Sequence, residues 1–330
     1  MLLGTVAFVA TLLVLVGLSG VVGRAPGASA TAPAVVVPSA SDRSTGASLE
    51  PSVAPSPTAL TGPTGDPILI GAGDIADCDS DGDEATAALL DGLPGTIFTA
   101  GDNVYPSGTI ESFTACYTPS WGRHLARTRP APGNHDRPGE SLDGYVAYYG
   151  AAGTGPNGEP WYSYDLGAWH VIVLDSNCSD VGGCGPDSPQ GRWLAADLAA
   201  TQAHCTIAIW HHPRFSSGDE HGSDPDMDPL WRAMYAAGAD VIVNGHDHSY
   251  ERFAPQDPDG VEDRARGIRQ FVVGTGGTRL RGFDDPVANS ELRASVSHGL
   301  LEFTLRDGGY DWRFIPTRGD FSDRGTASCH

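Results

Sequence analysis

GDNVY, Gly101 to Tyr105, sets a carboxylate and a phenol three residues apart at the end of a short apolar run, Thr96 to Ala100. Polar groups stand in the same place after other runs: Gly73–Asp74 after Ile68–Ala72, and GNHD (Gly133–Asp136) after Arg129–Pro132. HHP (His211–Pro213) follows Thr206–Trp210, and GHDH (Gly245–His248) follows Val241–Val243. Polar residues just past the carboxyl ends of strands are where open α/β sheets place their sites. Carboxylates, a phenol, an amide and imidazoles suit hard or borderline ions such as Fe, Mn or Zn. Two such ions side by side clamp the attacking and leaving oxygens of a phosphoryl transfer. The pattern points to hydrolytic phosphate chemistry.

Helices are expected between these strands, near Asp83–Leu90 and Pro229–Ala237. A third should run from Ser188, as N-cap with Pro189 in the first turn, to about Ala200. Trp161–Asp165 and Trp169–Asp175 alternate like paired strands, with Gly167 at the turn. Ile268–Val273, Leu300–Leu305 and Asp311–Ile315 add a late group of strands. This order predicts an α/β fold of two packed mixed β-sheets flanked by helices, rather than one doubly wound sheet.

Composition divides the chain of 330 residues into three parts. Residues 1–30 read as a signal peptide, almost wholly apolar to Val22 and with the small-residue pattern Ala28-Ser29-Ala30 near the end. An uncleaved membrane anchor is the rival, since about 20 apolar residues can span a bilayer. Residues 31–66 are Ala, Pro, Ser, Thr and Gly with few large side chains, the composition of a disordered linker. Residues 67–330 are left as the folded catalytic domain, long enough for a large core. The chain is expected outside the cell, secreted or surface-associated.

A net charge of −21 excludes a nucleic acid as bulk partner. It leaves room for a small phosphorylated substrate, because bound cations dominate the local field. All 20 basic residues are arginine, so lysine nucleophiles and P-loop lysines are excluded. The six cysteines all lie beyond residue 30, and in an exported chain they read as disulfides. Cys178 and Cys184 should close a small loop. Cys78 and Cys116 each follow a polar turn and should be neighbours, which leaves Cys205 with Cys329. No C-x-x-C pair supports the alternative of a zinc–thiolate site.

The ordered set GD, GDxxY, GNHD, H-x-P and GHxH resembles the calcineurin-like metallophosphoesterases over roughly Ile68 to Phe253, and Tyr105 points to the purple acid phosphatase branch. The resemblance implies a four-layer α/β/β/α sandwich. The wider superfamily reads D-x-H in the first motif, whereas Asp74-Ile75-Ala76 here lacks that histidine; Tyr105 can supply the missing ligand. A phenolate there favours a trivalent ion. The resemblance implies Asp74, Asp102, Tyr105 and His248 around a first metal, Fe(III). Asp102 then bridges to a second metal, Zn, Fe or Mn, held by Asn134, His211 and His246. It further implies His135 and His221 as the catalytic histidines on the substrate side. His212, Asp136 and Arg252 read instead as residues that support the ligands or pack beside them, with Asp136 placed to orient His135. The implied activity is phosphate monoester hydrolysis by attack of a metal-bound hydroxide, with an acidic pH optimum. A phosphodiesterase or nucleotidase on the same site, and a non-catalytic surface module, are the alternatives.

Other motifs add little. Asp77–Gly82 imitates the start of a calcium loop but has Ala88 where a bidentate Glu is needed, so it reads as an acidic helix start. Gly274–Gly277 lacks the spacing and lysine of a P-loop and reads as a turn. No Gly-x-Ser-x-Gly elbow supports a serine hydrolase.

Overall fold

In a computed structural model the described residues are 65–330. The signal peptide expected at 1–30 lies outside them, as does the linker expected at 31–66 except for its last two residues. Two large sheets organise the domain. In the six-stranded sheet the order is Arg324–Ser328, Gly309–Pro316, Gly299–Arg306, Ile68–Ala72, Thr96–Ala100 and Thr128–Ala131. The last three strands run parallel and the others are antiparallel to their neighbours. In the seven-stranded sheet the order is Ser290–Ala294, Tyr250–Phe253, Arg269–Val273, Val241–Asn244, Cys205–Ile209, Trp169–Val173 and Tyr162–Leu166. It too is mixed, with four parallel strands at its centre.

Alternation along the central strands explains the layering. Val171, Val173, Ile207, Ile209, Val241 and Val243 join one buried cluster with Ile70, Phe98 and Phe303 of the six-stranded sheet. Their neighbours Ile172, Ala208 and Ile242 join a second cluster with Leu194, Leu230, Trp231 and Met234. Those last four belong to the helices Pro189–Ala200 and Asp228–Ala236. Period-two side chains therefore bury one face against the partner sheet and the other against helices. Each buried aliphatic or aromatic side chain contributes about 1.5–3 kcal/mol. The expected sandwich is observed.

Local signals behave as their chemistry requires. Ser188 Oγ accepts from Gly191 N at the start of Pro189–Ala200, satisfying one orphan helix donor. The acidic run before Gly82–Gly92 caps differently from expectation: Ser80 Oγ accepts from Gly82 N at 3.1 Å, and the Asp81 side chain makes no cap bond. All three expected disulfides are present, Cys78–Cys116, Cys178–Cys184 and Cys205–Cys329. The last joins residues 124 apart. A loop of that length is worth roughly 4–5 kcal/mol in the chain-entropy account.

His170 ties the edge of the seven-stranded sheet to a helix. Its Nδ1 lies 2.9 Å from Asp165 Oδ1 and its Nε2 2.8 Å from Asp197 Oδ2. Burial works against its charge, but the two carboxylates outweigh burial and raise its pKa. A histidine pKa raised on folding stabilises the fold fully below the unfolded value, and that contribution is lost as pH rises through the folded value. His170→Gln should therefore cost on the order of 1 kcal/mol in acid, the exposed Asp165 being screened, or about 2–4 °C in melting temperature. The difference should shrink as the buffer is made alkaline. Thermal melts of both proteins across pH check this; a gap that widens towards alkaline pH refutes the assignment.

Candidate metal centre

Five loops converge at the carboxyl ends of strands from both sheets. Ile68–Ala72, Thr96–Ala100 and Thr128–Ala131 deliver Asp74, Asp102 with Tyr105, and Asn134 with His135. Cys205–Ile209 and Val241–Asn244 deliver His211, and His246 with His248. Asp74, Asp102 and His246 have φ of 59°, 47° and 71°, left-handed values uncommon outside glycine. Such backbone costs about 1–3 kcal/mol per residue and concentrates at functional sites. Gly101 admits the approach of the loops: a Cβ there would stand 2.5 Å from His211 Nδ1.

Donor atoms form two sets sharing one oxygen. Tyr105 Oη lies 2.9 Å from Asp74 Oδ1, 2.9 Å from Asp102 Oδ2 and 3.3 Å from His248 Nε2. On the other side, His211 Nε2 lies 3.2 Å from the same Asp102 Oδ2, 3.1 Å from Asn134 Oδ1 and 3.1 Å from His246 Nδ1. All seven residues read from the sequence as ligands are thus brought together. Asp74, Asp102, Tyr105, His211 and His248 are buried, while Asn134, His135 and His246 are half-buried and form the open side.

Backbone carbonyls orient the rings. His211 Nδ1 donates to Ala100 O at 2.8 Å and His248 Nδ1 to Arg279 O at 2.8 Å, leaving Nε2 of each for the donor set. His135 Nδ1 donates to Pro106 O at 2.8 Å, and its backbone N–H donates to Asp102 Oδ1 at 2.7 Å. Asp136 does not orient His135. Its carboxylate accepts from Gly133 N, Asn103 N and Asn103 Nδ2, so it clasps the second and third loops to each other. A carboxylate aimed back into two turns satisfies their amides, and its own side chain is then used up.

Charge at this position is unusual. Among the described residues, Asp74 and Asp102 form ion pairs with histidines alone, although both are 1% exposed or less. Burial would raise the Asp102 carboxyl, but the His211 charge outweighs it and holds the group well below the usual carboxylate range. Burial works against the His211 charge, yet Asp102 lifts that ring to about 9. Tyr105 is raised well above an ordinary phenol by burial, then by Asp102 and Asp74. His246 and His212 are pushed down by burial and the neighbouring His211, His212 to about 3. Two buried carboxylates that share one phenol proton fit a cation: a metal ion can replace that proton and offset both carboxylates.

His221 is exposed, stacks on His246 with ring centroids 4.0 Å apart, and accepts from Arg281 Nη1 at 2.5 Å. Two contributors were missed by the sequence reading. The Gly274–Gly277 run is more than a turn: Gly276 N donates to Gly73 O, Thr278 N donates to Asp74 O, and a Cβ on Gly274 would meet Asp74 Oδ2 at 2.7 Å. The loop beyond it supplies the Arg279 carbonyl and the Arg281 guanidinium, whose Nε pairs with Glu220 at 2.8 Å. The density of glycine after the Arg269–Val273 strand was the available signal for close approach.

Residues 64–250 match the family described as calcineurin-like phosphoesterase. Purple acid phosphatase 18 of Arabidopsis thaliana is 30% identical over 203 residues, 54% of this chain and 44% of the relative. The chain spans about half the length of the curated relatives it matches. The fold is shared with purple acid phosphatase PPD1 of yellow lupin, Lupinus luteus, with a TM-score of 0.62, 19% identity, and coverage of 79% of this chain and 53% of that one. It is shared also with GAP50, the anchor in the inner membrane complex of Plasmodium, at a TM-score of 0.59 and 16% identity over 80% and 89% of the two chains.

The adjacent residues Asn134 and His135 should respond differently to truncation. Asn134→Ala removes a neutral oxygen donor and should lower metal content by one site. His135→Ala should keep the metal content of the wild type and lower kcat by roughly a hundred- to ten-thousandfold, the range of a general acid. Elemental analysis beside single-substrate kinetics separates them; loss of metal from His135→Ala refutes its role.

Proposed function

The chain belongs to the calcineurin-like phosphoesterase family, and we propose that residues 67–330 are the catalytic domain of an exported phosphatase that hydrolyses phosphate monoesters at a two-metal centre. One observation carries the reading: Asp102 Oδ2 lies within 3.2 Å of donors in both sets, as a bridging carboxylate must. Asp74, Asp102, Tyr105 and His248 would hold Fe(III). Asp102, Asn134, His211 and His246 would hold Zn, Fe or Mn. Bound there, the pair supplies Lewis acidity towards the phosphoryl oxygens and acidifies water for nucleophilic use.

The chain's own groups do the rest. His135, with Nδ1–H donated to Pro106 O, presents Nε2 to the substrate and, as the imidazolium, would pass the Nε2 proton to the departing alkoxide, returning to the neutral ring. His221 accepts from Arg281 through Nε2, so its proton sits on Nδ1. That tautomer suits it to donate a hydrogen bond to a phosphoryl oxygen. Asp102 Oδ1 fixes the His135 backbone, so the bridging position and the acid move as one unit. The export of the protein is supported by the apolar stretch before residue 23 and by three disulfides, which persist in oxidising compartments. Among the described residues no helix is long and apolar enough to cross a membrane.

The test pairs metal analysis with a substrate panel. The purified protein should carry two metals per chain and hydrolyse p-nitrophenyl phosphate faster than the bis ester, best at acidic pH. Asp102→Asn should lose both metals and turnover. Faster cleavage of the diester overturns the monoester reading, and a metal-free, inactive wild type favours a binding module of this fold.

Tyr105 gives a test of which ion would fill the first position. A phenolate bound to ferric iron absorbs visible light by ligand-to-metal charge transfer, which neither carboxylate nor imidazole produces. The oxidised, iron-loaded protein should be violet. Tyr105→Phe should be colourless yet folded, because one lost hydroxyl leaves a polar site that water can fill. A colourless wild type with confirmed ferric iron excludes tyrosinate ligation.

A further inference from the structure

His212 has no role in the ligand set above, yet its surroundings are those of a ligand. Adjacent residues leaving a strand usually diverge, but His211 and His212 keep their ring centroids 5.0 Å apart. His212 also lies 4.4 Å from His246, centroid to centroid. One donor atom from each of His211, His212 and His246 falls within 4.8 Å of the other two. Donors about 2.1 Å from one ion lie at most about 4.2 Å apart, so a small closure brings all three rings onto a common centre.

The ring is held as the other histidines of the centre are held. Its Nδ1 lies 2.7 Å from Ser176 Oγ, matching the Nδ1 contacts of His211 with Ala100 O and of His248 with Arg279 O. Ser176 Oγ also accepts from the His212 backbone N–H at 3.0 Å, so one hydroxyl fixes both the main chain and the ring. Among the described residues Nε2 of His212 has no hydrogen-bond partner. Metal-ligating histidines characteristically commit the second ring nitrogen to such a partner.

Ser176 is itself rigidly mounted. It is buried, three residues beyond the strand Trp169–Val173, beside Asp175, whose backbone N–H donates to Gln190 Oε1 at 2.8 Å. Asn177 N donates to Asp175 Oδ1 at 2.9 Å, and the Cys178–Cys184 disulfide follows directly. A serine anchored in this way serves little purpose for a ring that merely fills space.

We infer that His212 is a third imidazole donor to the second metal position, through Nε2, and that Ser176 is the residue that positions it. The inference rests on the two-metal reading above. Three imidazoles with one amide and one carboxylate make a nitrogen-rich site, which favours Zn2+ over Mn2+.

The test is a titration of the metal-stripped full chain with Zn2+ and with Mn2+, read by calorimetry and by metal content after gel filtration. Wild type should show two Zn2+ steps. His212→Ala should weaken the step that Asn134→Ala weakens, by roughly tenfold or more, and leave the other step within about twofold. Ser176→Ala should weaken the same step to a smaller extent, and Mn2+ should be affected less than Zn2+. A packing role predicts a lower melting temperature of the metal-stripped protein with both affinities unchanged, and that result overturns the inference alone. A wild type that takes up no metal overturns it together with the proposed function. Should His212→Ala fail to fold, His212→Gln, which keeps most of the volume, carries the same comparison.

Discussion

The buried carboxylate of Asp102 is the constraint on which the other parts depend. One oxygen meets Tyr105 and His211, and the other accepts from the His135 backbone. A carboxylate so deeply placed is held ionised by the His211 charge, against the cost of its burial. The neighbouring loops serve that placement. Gly101 clears room for the His211 ring, and Asp136 clasps Asn103 and Gly133 on either flank. Left-handed backbone at Asp102 and Asp74 then aims both side chains inward. Remove the carboxylate and the two donor sets lose the atom they share.

The strands were legible because apolar runs with both faces buried leave a strong imprint, as in Cys205–Ile209 and Val241–Asn244. The Ser188 cap was legible because its chemistry is local. The proposed ligands were legible for the same reason: each arrives in a short segment directly after a strand. Contacts that join distant segments were not. Arg279 acts on His248 through a backbone carbonyl, which any residue could supply. Arg281 reaches His221 across 60 positions, and Ser176 reaches His212 across 36. Asp136 was misjudged because adjacency to His135 suggested a partnership that the fold spends on Asn103 instead.

The neighbours in fold show why the site has to carry the functional reading. A phosphatase from lupin and an anchor from Plasmodium share the same sandwich with this chain at under 20% identity. Architecture fixes where loops emerge, and the residues on them fix the chemistry. Here the loops hold carboxylates, a phenol, an amide and imidazoles in two sets with a common oxygen, which is the part that architecture alone does not guarantee.

The origin of the ligands in two sheets has a mechanical consequence. Each proposed metal position draws donors from both: Asp74, Asp102 and Tyr105 face His248, and Asp102 with Asn134 faces His211 and His246. An ion in either position would therefore act as a rivet through the sandwich, resisting any slide of one sheet over the other. Since ions bind the folded chain and not the separated sheets, their free concentration becomes a variable of the fold's cohesion. Metal supply would then govern how long the molecule lasts as well as how fast it works.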